Sequence, residues 1–160
     1  MGKPFGSELA KIKDTVIWAS KCDVSELRFF FLSQPHLPLI TIGSGGSFSA
    51  CHYASMLYKL NCSISMPTTP FMLWNYSGLI EQNKLFYISA SGKNNDIVMA
   101  FKKGAEQNQA GMANLSMRIN NPLSKYAEKY SHITSYNYDF PEKKDGFLAT
   151  NSLVAFFTLL

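Results

Sequence analysis

The chain has 160 residues, a net charge of +4, 46% apolar and 16% charged residues, which suits one globular domain with a substantial core. No apolar run approaches the roughly 20 residues of a bilayer span, and the opening MGKPFGSELAKIKD is too polar for a signal peptide, so a membrane is not expected as a partner. Basic residues are scattered, with Lys102-Lys103 and Lys143-Lys144 the only adjacent pairs, which argues against a nucleic-acid footprint while favouring small anions.

In chain order, Leu9, Ile12, Val16 and Ala19 mark one helical face behind a Ser7 N-cap. Ser25 caps a second short helix through Phe31, stopped by Pro35 and Pro38. Leu39 to Ile42 reads as the first strand and Ser47 to Leu60 as its helix. Ser63 to Met66 is the second strand, followed by a Thr68-Thr69-Pro70 turn, with Phe71 to Trp74 extending that segment and Ser77 to Gln82 a short helix. Leu85 to Ser89 is a third strand backed by a helix over Asn95 to Gln107, and Ala113 to Met117 is a fourth. Asn120-Asn121-Pro122 is turn chemistry opening a helix to about Tyr130, and Ile133 to Tyr136 is the fifth strand. A charged loop, Pro141 to Gly146, precedes an apolar helix from Thr150 to Leu160. Strands alternating with helices at this spacing imply βαβ units, a parallel sheet and an α/β class.

Two strand-to-helix loops carry the chemistry. Gly43-Ser44-Gly45-Gly46-Ser47 follows the first strand, where glycines let the backbone turn sharply and the next helix presents unpaired amides at its positive end. That is an anion site in type, and its two hydroxyls suit a phosphate or a polyol. Ser89-Ala90-Ser91-Gly92-Lys93-Asn94-Asn95-Asp96 follows the third strand, with Asn94 or Asn95 available as the helix cap. Standard fingerprints fail: Phe48 stands where a dinucleotide loop needs its third glycine, Asn94 follows Gly92-Lys93 where a P-loop needs Ser or Thr, and neither Ser44 nor Ser47 sits in a nucleophile elbow. In an open doubly wound sheet both loops lie on the rim where ligands bind.

Four pieces in order, GSGGS, SASGKNND, NNPLSKYAE and DGFLATNSLVAF, resemble the SIS (sugar isomerase) domain family over about residues 38 to 160. The resemblance implies a three-layer sandwich around a five-stranded parallel, doubly wound, flavodoxin-like sheet, with residues 1–35 an N-terminal helical arm and 36–160 the SIS domain. It implies a sugar phosphate as ligand, with no cofactor and no metal. On this resemblance Gly43, Ser44, Gly45, Gly46 and Ser47 contact the sugar or phosphate, and Ser89, Ser91, Gly92 and Asn94 form the phosphate cradle, Asn94 standing where the family has threonine. Asp145 falls near the acidic position that moves a proton between C1 and C2 in the isomerases, and Glu142 competes for that role because Asp is a methylene shorter than Glu. Metal-free proton transfer through an enediol(ate) is the implied mechanism; a non-catalytic sensor or assembly module is the alternative.

His36, His52 and His132 are read as structural rather than catalytic, and Cys22, Cys51 and Cys62, odd in number and without metal spacing, as reduced thiols in the cytoplasm. The apolar last helix is expected to pack into a symmetric partner or against a second tandem unit, with a homodimer expected in either case.

Overall fold

A computed structural model describes residues 5–76, 78–141 and 150–160. Three N-terminal helices, α1 (Phe5–Leu9), α2 (Ile12–Ala19) and α3 (Ser25–Leu32), precede the first strand, β1 (Leu39–Ile42), and its helix α4 (Gly46–Asn61). Then come β2 (Ser65–Thr68), α5 (Pro70–Asn75), α6 (Gly78–Glu81), β3 (Lys84–Ile88) and α7 (Asn95–Gln107). The remainder is β4 (Met112–Ser116), α8 (Pro122–Ala127), β5 (Ile133–Asn137) and α9 (Thr150–Leu159).

All five strands pair in parallel in the order β2-β1-β3-β4-β5. Every residue of β1, β3 and β4 is buried, as expected of parallel strands covered on both faces. Alternate side chains enter two separate cores. Leu39, Phe86, Ile88, Ala113 and Leu115 meet the helices carrying Ala19, Phe30, Ala54 and Phe156. Ile40, Ile42, Leu85, Tyr87 and Met112 meet Leu73, Ile97, Phe101 and Leu123 on the opposite face. The three-layer, doubly wound α/β sandwich expected from the sequence is what the chain builds.

Local differences have local causes. The first expected helix breaks after Leu9 and restarts at Ile12, so Ser7 lies inside α1 instead of capping it. Ser25 is the first helical residue of α3 and not its cap; its N–H and hydroxyl donate to Asp23 Oδ1 at 2.9 and 2.6 Å, and these two bonds hold the Asp23 carboxyl below its usual range. The second strand sits two residues later than expected because Ser65, buried, donates to the Leu39 carbonyl and fixes the Leu39↔Ser65 register. Its Pro67 is tolerated because β2 is an edge strand. Phe71 to Trp74 does not extend that strand: Thr69 accepts from the Met72 amide at 3.3 Å and Pro70 opens α5.

The last helix also departs from expectation. Its buried residues, including Ala155, Phe156 and Leu159, belong to the core shared with α2 and α4, so its apolar face is covered within the chain. The reason for expecting a partner at α9 therefore falls away. At its N-terminal end Asn151 is fully buried, donating from Nδ2 to Glu8 Oε2 at 3.0 Å and accepting from Thr15 Oγ1 at 3.1 Å, which ties α1 and α2 to it.

Candidate functional site

In a sheet ordered 2-1-3-4-5, the crevice opens where the winding reverses, between the carboxyl ends of β1 and β3. The two serine-and-glycine loops are the ones that follow these strands. Because Ile42 pairs with Tyr87, the loops start side by side, about one strand spacing (~4.8 Å) apart. The structure thus brings the two groups of sequence-predicted residues to one rim.

In the first loop, Gly45 has φ 55° and ψ −134°, a conformation that a side chain strains, and it occupies the N-cap of α4. A glycine has no side chain to cap with, so α4, sixteen residues long, starts with no side-chain cap bond. Its positive end therefore faces the rim beside the half-buried Ser44 and Ser47. Gly43 serves packing: a Cβ there would stand 2.7 Å from Cys51 Sγ and 3.0 Å from the Ser47 carbonyl oxygen, so the glycine sets how closely β1 approaches α4. Burial pushes the Cys51 thiol up, which keeps it protonated and removes it as a nucleophile.

The second loop is organised differently. Ser89 is buried and its Oγ accepts from the Gly92 amide at 3.2 Å, while Ser91, exposed, accepts from the Lys93 amide at 3.3 Å. Each serine therefore shapes the loop through a lone pair, and its O–H is the group left to donate to a ligand. Asn94 is the α7 N-cap, its Oδ1 accepting from the amides of Asp96 and Ile97 at 2.9 and 3.2 Å. That leaves only its Nδ2 hydrogens for the cradle role, because the helix takes the oxygen.

Beneath this loop lies a set of residues whose sequence signal was only that of a turn. Gly92 has φ 63°, and a Cβ there would lie 2.5 Å from Asn121 Oδ1. Asn121, almost fully buried, caps α8 through the amides of Leu123 and Ser124. Its Nδ2 lies 2.8 Å from Ser116 Oγ, the Arg118 carbonyl and Asn137 Oδ1. The loops after β3 and β4 and the end of β5 are thereby locked together. The signal was the Asn-Asn-Pro-Leu-Ser run itself, a cap before a proline-started helix.

The histidines stand where the structural reading put them: all three are exposed, with His52 edge-on to Phe48 at 4.7 Å and His132 against Tyr130 at 5.6 Å. All three cysteines are free, and no group of three metal-ligating side chains occurs among the described residues. Glu142 and Asp145, the carboxylates expected to move a proton, lie outside the described residues. No helix among the described residues is long and apolar enough to cross a membrane.

No family model matches the chain, and no curated protein matches it by sequence. Solved structures do match. The NanR protein of Vibrio vulnificus, complexed with ManNAc-6P, shares a TM-score of 0.72 at 17% identity over 96% of this chain, which spans 58% of NanR. The Escherichia coli protein c3406, solved in complex with a sugar phosphate, gives 0.69 at 12% identity over 95% of this chain and 81% of its own. The C-terminal domain of glucosamine-fructose-6-phosphate aminotransferase from Francisella tularensis gives 0.71 at 15% identity, covering 94% of this chain and 44% of that one. At these identities the likeness is one of fold, and the SIS-type fold that the sequence resembled is borne out.

Proposed function

We propose that this chain is a cytoplasmic phosphosugar-binding domain whose ligand lies across the β1 and β3 loops. The observation that carries this reading is the convergence of an uncapped α4 N-terminus with the hydroxyls of Ser44, Ser47, Ser89 and Ser91 at the switch point of the sheet. The amides and hydroxyls suit a phosphate and a polyol, and the neighbours solved with ManNAc-6P and with a second sugar phosphate support that class of ligand. Once the ligand is bound, two fates are open to it. Aldose–ketose isomerisation or deglycation through an enediol(ate) requires a base such as Glu142 or Asp145. A sensor requires only the donors that the described rim supplies, and it is the reading those donors favour.

The test is thermal unfolding against hexose, pentose and amino-sugar phosphates, with free sugars, ATP and NAD as controls. A sugar phosphate at about 100 times its dissociation constant raises stability by about 2.7 kcal/mol, a shift of several degrees. Ser89→Ala with Ser91→Ala removes the hydroxyl donors and abolishes that shift. An undiminished shift in the double variant sinks the assignment of the cradle.

We also propose a homodimer, on ground other than α9. Phe71 is 73% exposed and Trp74 48% exposed on α5, beside Met99 of α7, an apolar cluster of the kind that interfaces cover. Sedimentation velocity is expected to show a dimer that Phe71→Asp with Trp74→Asp converts to monomer; a monomeric parent protein refutes it.

A further inference from the structure

Beside the first loop lies an apolar cavity of about 370 Å³, walled by Phe48, Met66, Met72, Tyr76 and Leu79 around the Thr68-Thr69 corner. It is continuous with the candidate site: Phe48 follows Ser47 in the first turn of α4, and the Gly43 amide donates to the Thr68 carbonyl at 3.2 Å, joining the tip of β2 to the loop. Met66, Met72 and Tyr76 are 40%, 44% and 57% exposed there, so the cavity is apolar and open. The sugar and phosphate of a plain sugar phosphate have nothing to place against such walls.

The sheet sets the distance. The β3 loop and the tip of β2 are separated by β1, two strand spacings or about 10 Å. A hexose 6-phosphate with its phosphate on the Ser89–Asn94 loop reaches across β1, and its C1–C2 end arrives at the cavity. The geometry points to a ligand that carries an apolar substituent at that end, and we infer that the site selects N-acylated 2-amino-2-deoxyhexose 6-phosphates over the unsubstituted sugars. The Thr68-Thr69 corner supplies hydroxyls for the amide, and the apolar walls take the acyl chain. This inference rests on the phosphosugar reading above and specifies its substrate class.

Calorimetric titration of the whole chain with the 6-phosphates of glucosamine and mannosamine, each free, N-acetylated and N-butanoylated, tests it. Two further buried methylenes make the butanoyl ligand about tenfold tighter than the acetyl one. Met72→Ser and Tyr76→Ser, at exposed positions where the core is untouched, bring that ratio close to one. Binding of all six ligands with equal affinity overturns the acyl subsite while leaving the phosphosugar site standing. So does a tenfold ratio that persists in both variants, since the chain is then held elsewhere. Binding of none overturns the phosphosugar reading and this inference together.

Discussion

Replacing Lys84 with alanine lowers the unfolding free energy by about 3 kcal/mol at pH 7, and replacement with methionine lowers it by roughly half as much. Lys84 opens β3 and is 1% exposed, at the end of the sheet opposite the candidate site. Its ammonium donates to the carbonyls of Phe30, of Ser33 at 2.6 Å and of Phe31 at 3.4 Å, and it lies 4.6 Å from the centre of the Phe30 ring. Those carbonyls end α3, where a helix has acceptors without partners and a negative dipole end. A lysine reaching up from a central strand thus clasps the N-terminal helices to the sheet. Methionine keeps most of the stem's packing and loses the donors; alanine loses both. Burial pulls the Lys84 ammonium down to about 8 from an ordinary 10.5, which gives the pairing a pH signature. Between those values the unfolded chain holds a proton that the folded chain has released, so stability rises with pH. The rise reaches at most about 3 kcal/mol, is absent below pH 8 and is complete near pH 10.5. Urea unfolding of the parent and Lys84→Met proteins at pH 7, 8, 9 and 10 reads both effects. The gap between them widens above pH 8; equal stability at every pH means that the ammonium is not the clasp.

Nothing in the sequence marked Lys84, for a physical reason. A lysine beginning a strand ordinarily snorkels to solvent, and only the tertiary placement of α3 over the start of β3 turns it inward. The fold was legible because its signals are local and repeated: four apolar strand cores, glycine and serine after β1 and β3, and Pro122 behind an asparagine. Misreadings cluster where a cap competes with an apolar run. Phe71 to Trp74 is apolar enough to extend a strand, but Thr69 and Pro70 start a helix. The apolarity of α9 was visible, whereas its cover was not, because α2 lies more than 130 residues away in sequence. At the site, residue types and positions were readable, but the division of labour was not. That Asn94 spends its oxygen on α7 while α4 goes without a side-chain cap is decided by backbone geometry.

Gly92→Ala is the substitution that tests that geometry most directly. The change costs about 3 kcal/mol and abolishes the thermal shift given by sugar phosphates. Part of the cost is conformational: φ is 63°, and an L side chain in the left-handed region costs roughly 1–2 kcal/mol. The remainder is collision, since the new Cβ would lie 2.5 Å from Asn121 Oδ1 and 2.8 Å from its Cγ. Asn121 cannot give way cheaply, because its side chain caps α8 through Oδ1 and ties Ser116, Arg118 and Asn137 together through Nδ2. The two contributions separate in a double-mutant cycle. Asn121→Ala alone costs about 2 kcal/mol through the lost cap and the polar groups it leaves behind. In that background the obstacle to Cβ is largely gone, and Gly92→Ala costs only its conformational share. A coupling of about 1 kcal/mol or more shows that the phosphate loop is held in shape by the loop after β4. An equal cost of Gly92→Ala in both backgrounds makes the loop autonomous, and the rim would then bind through its own backbone alone.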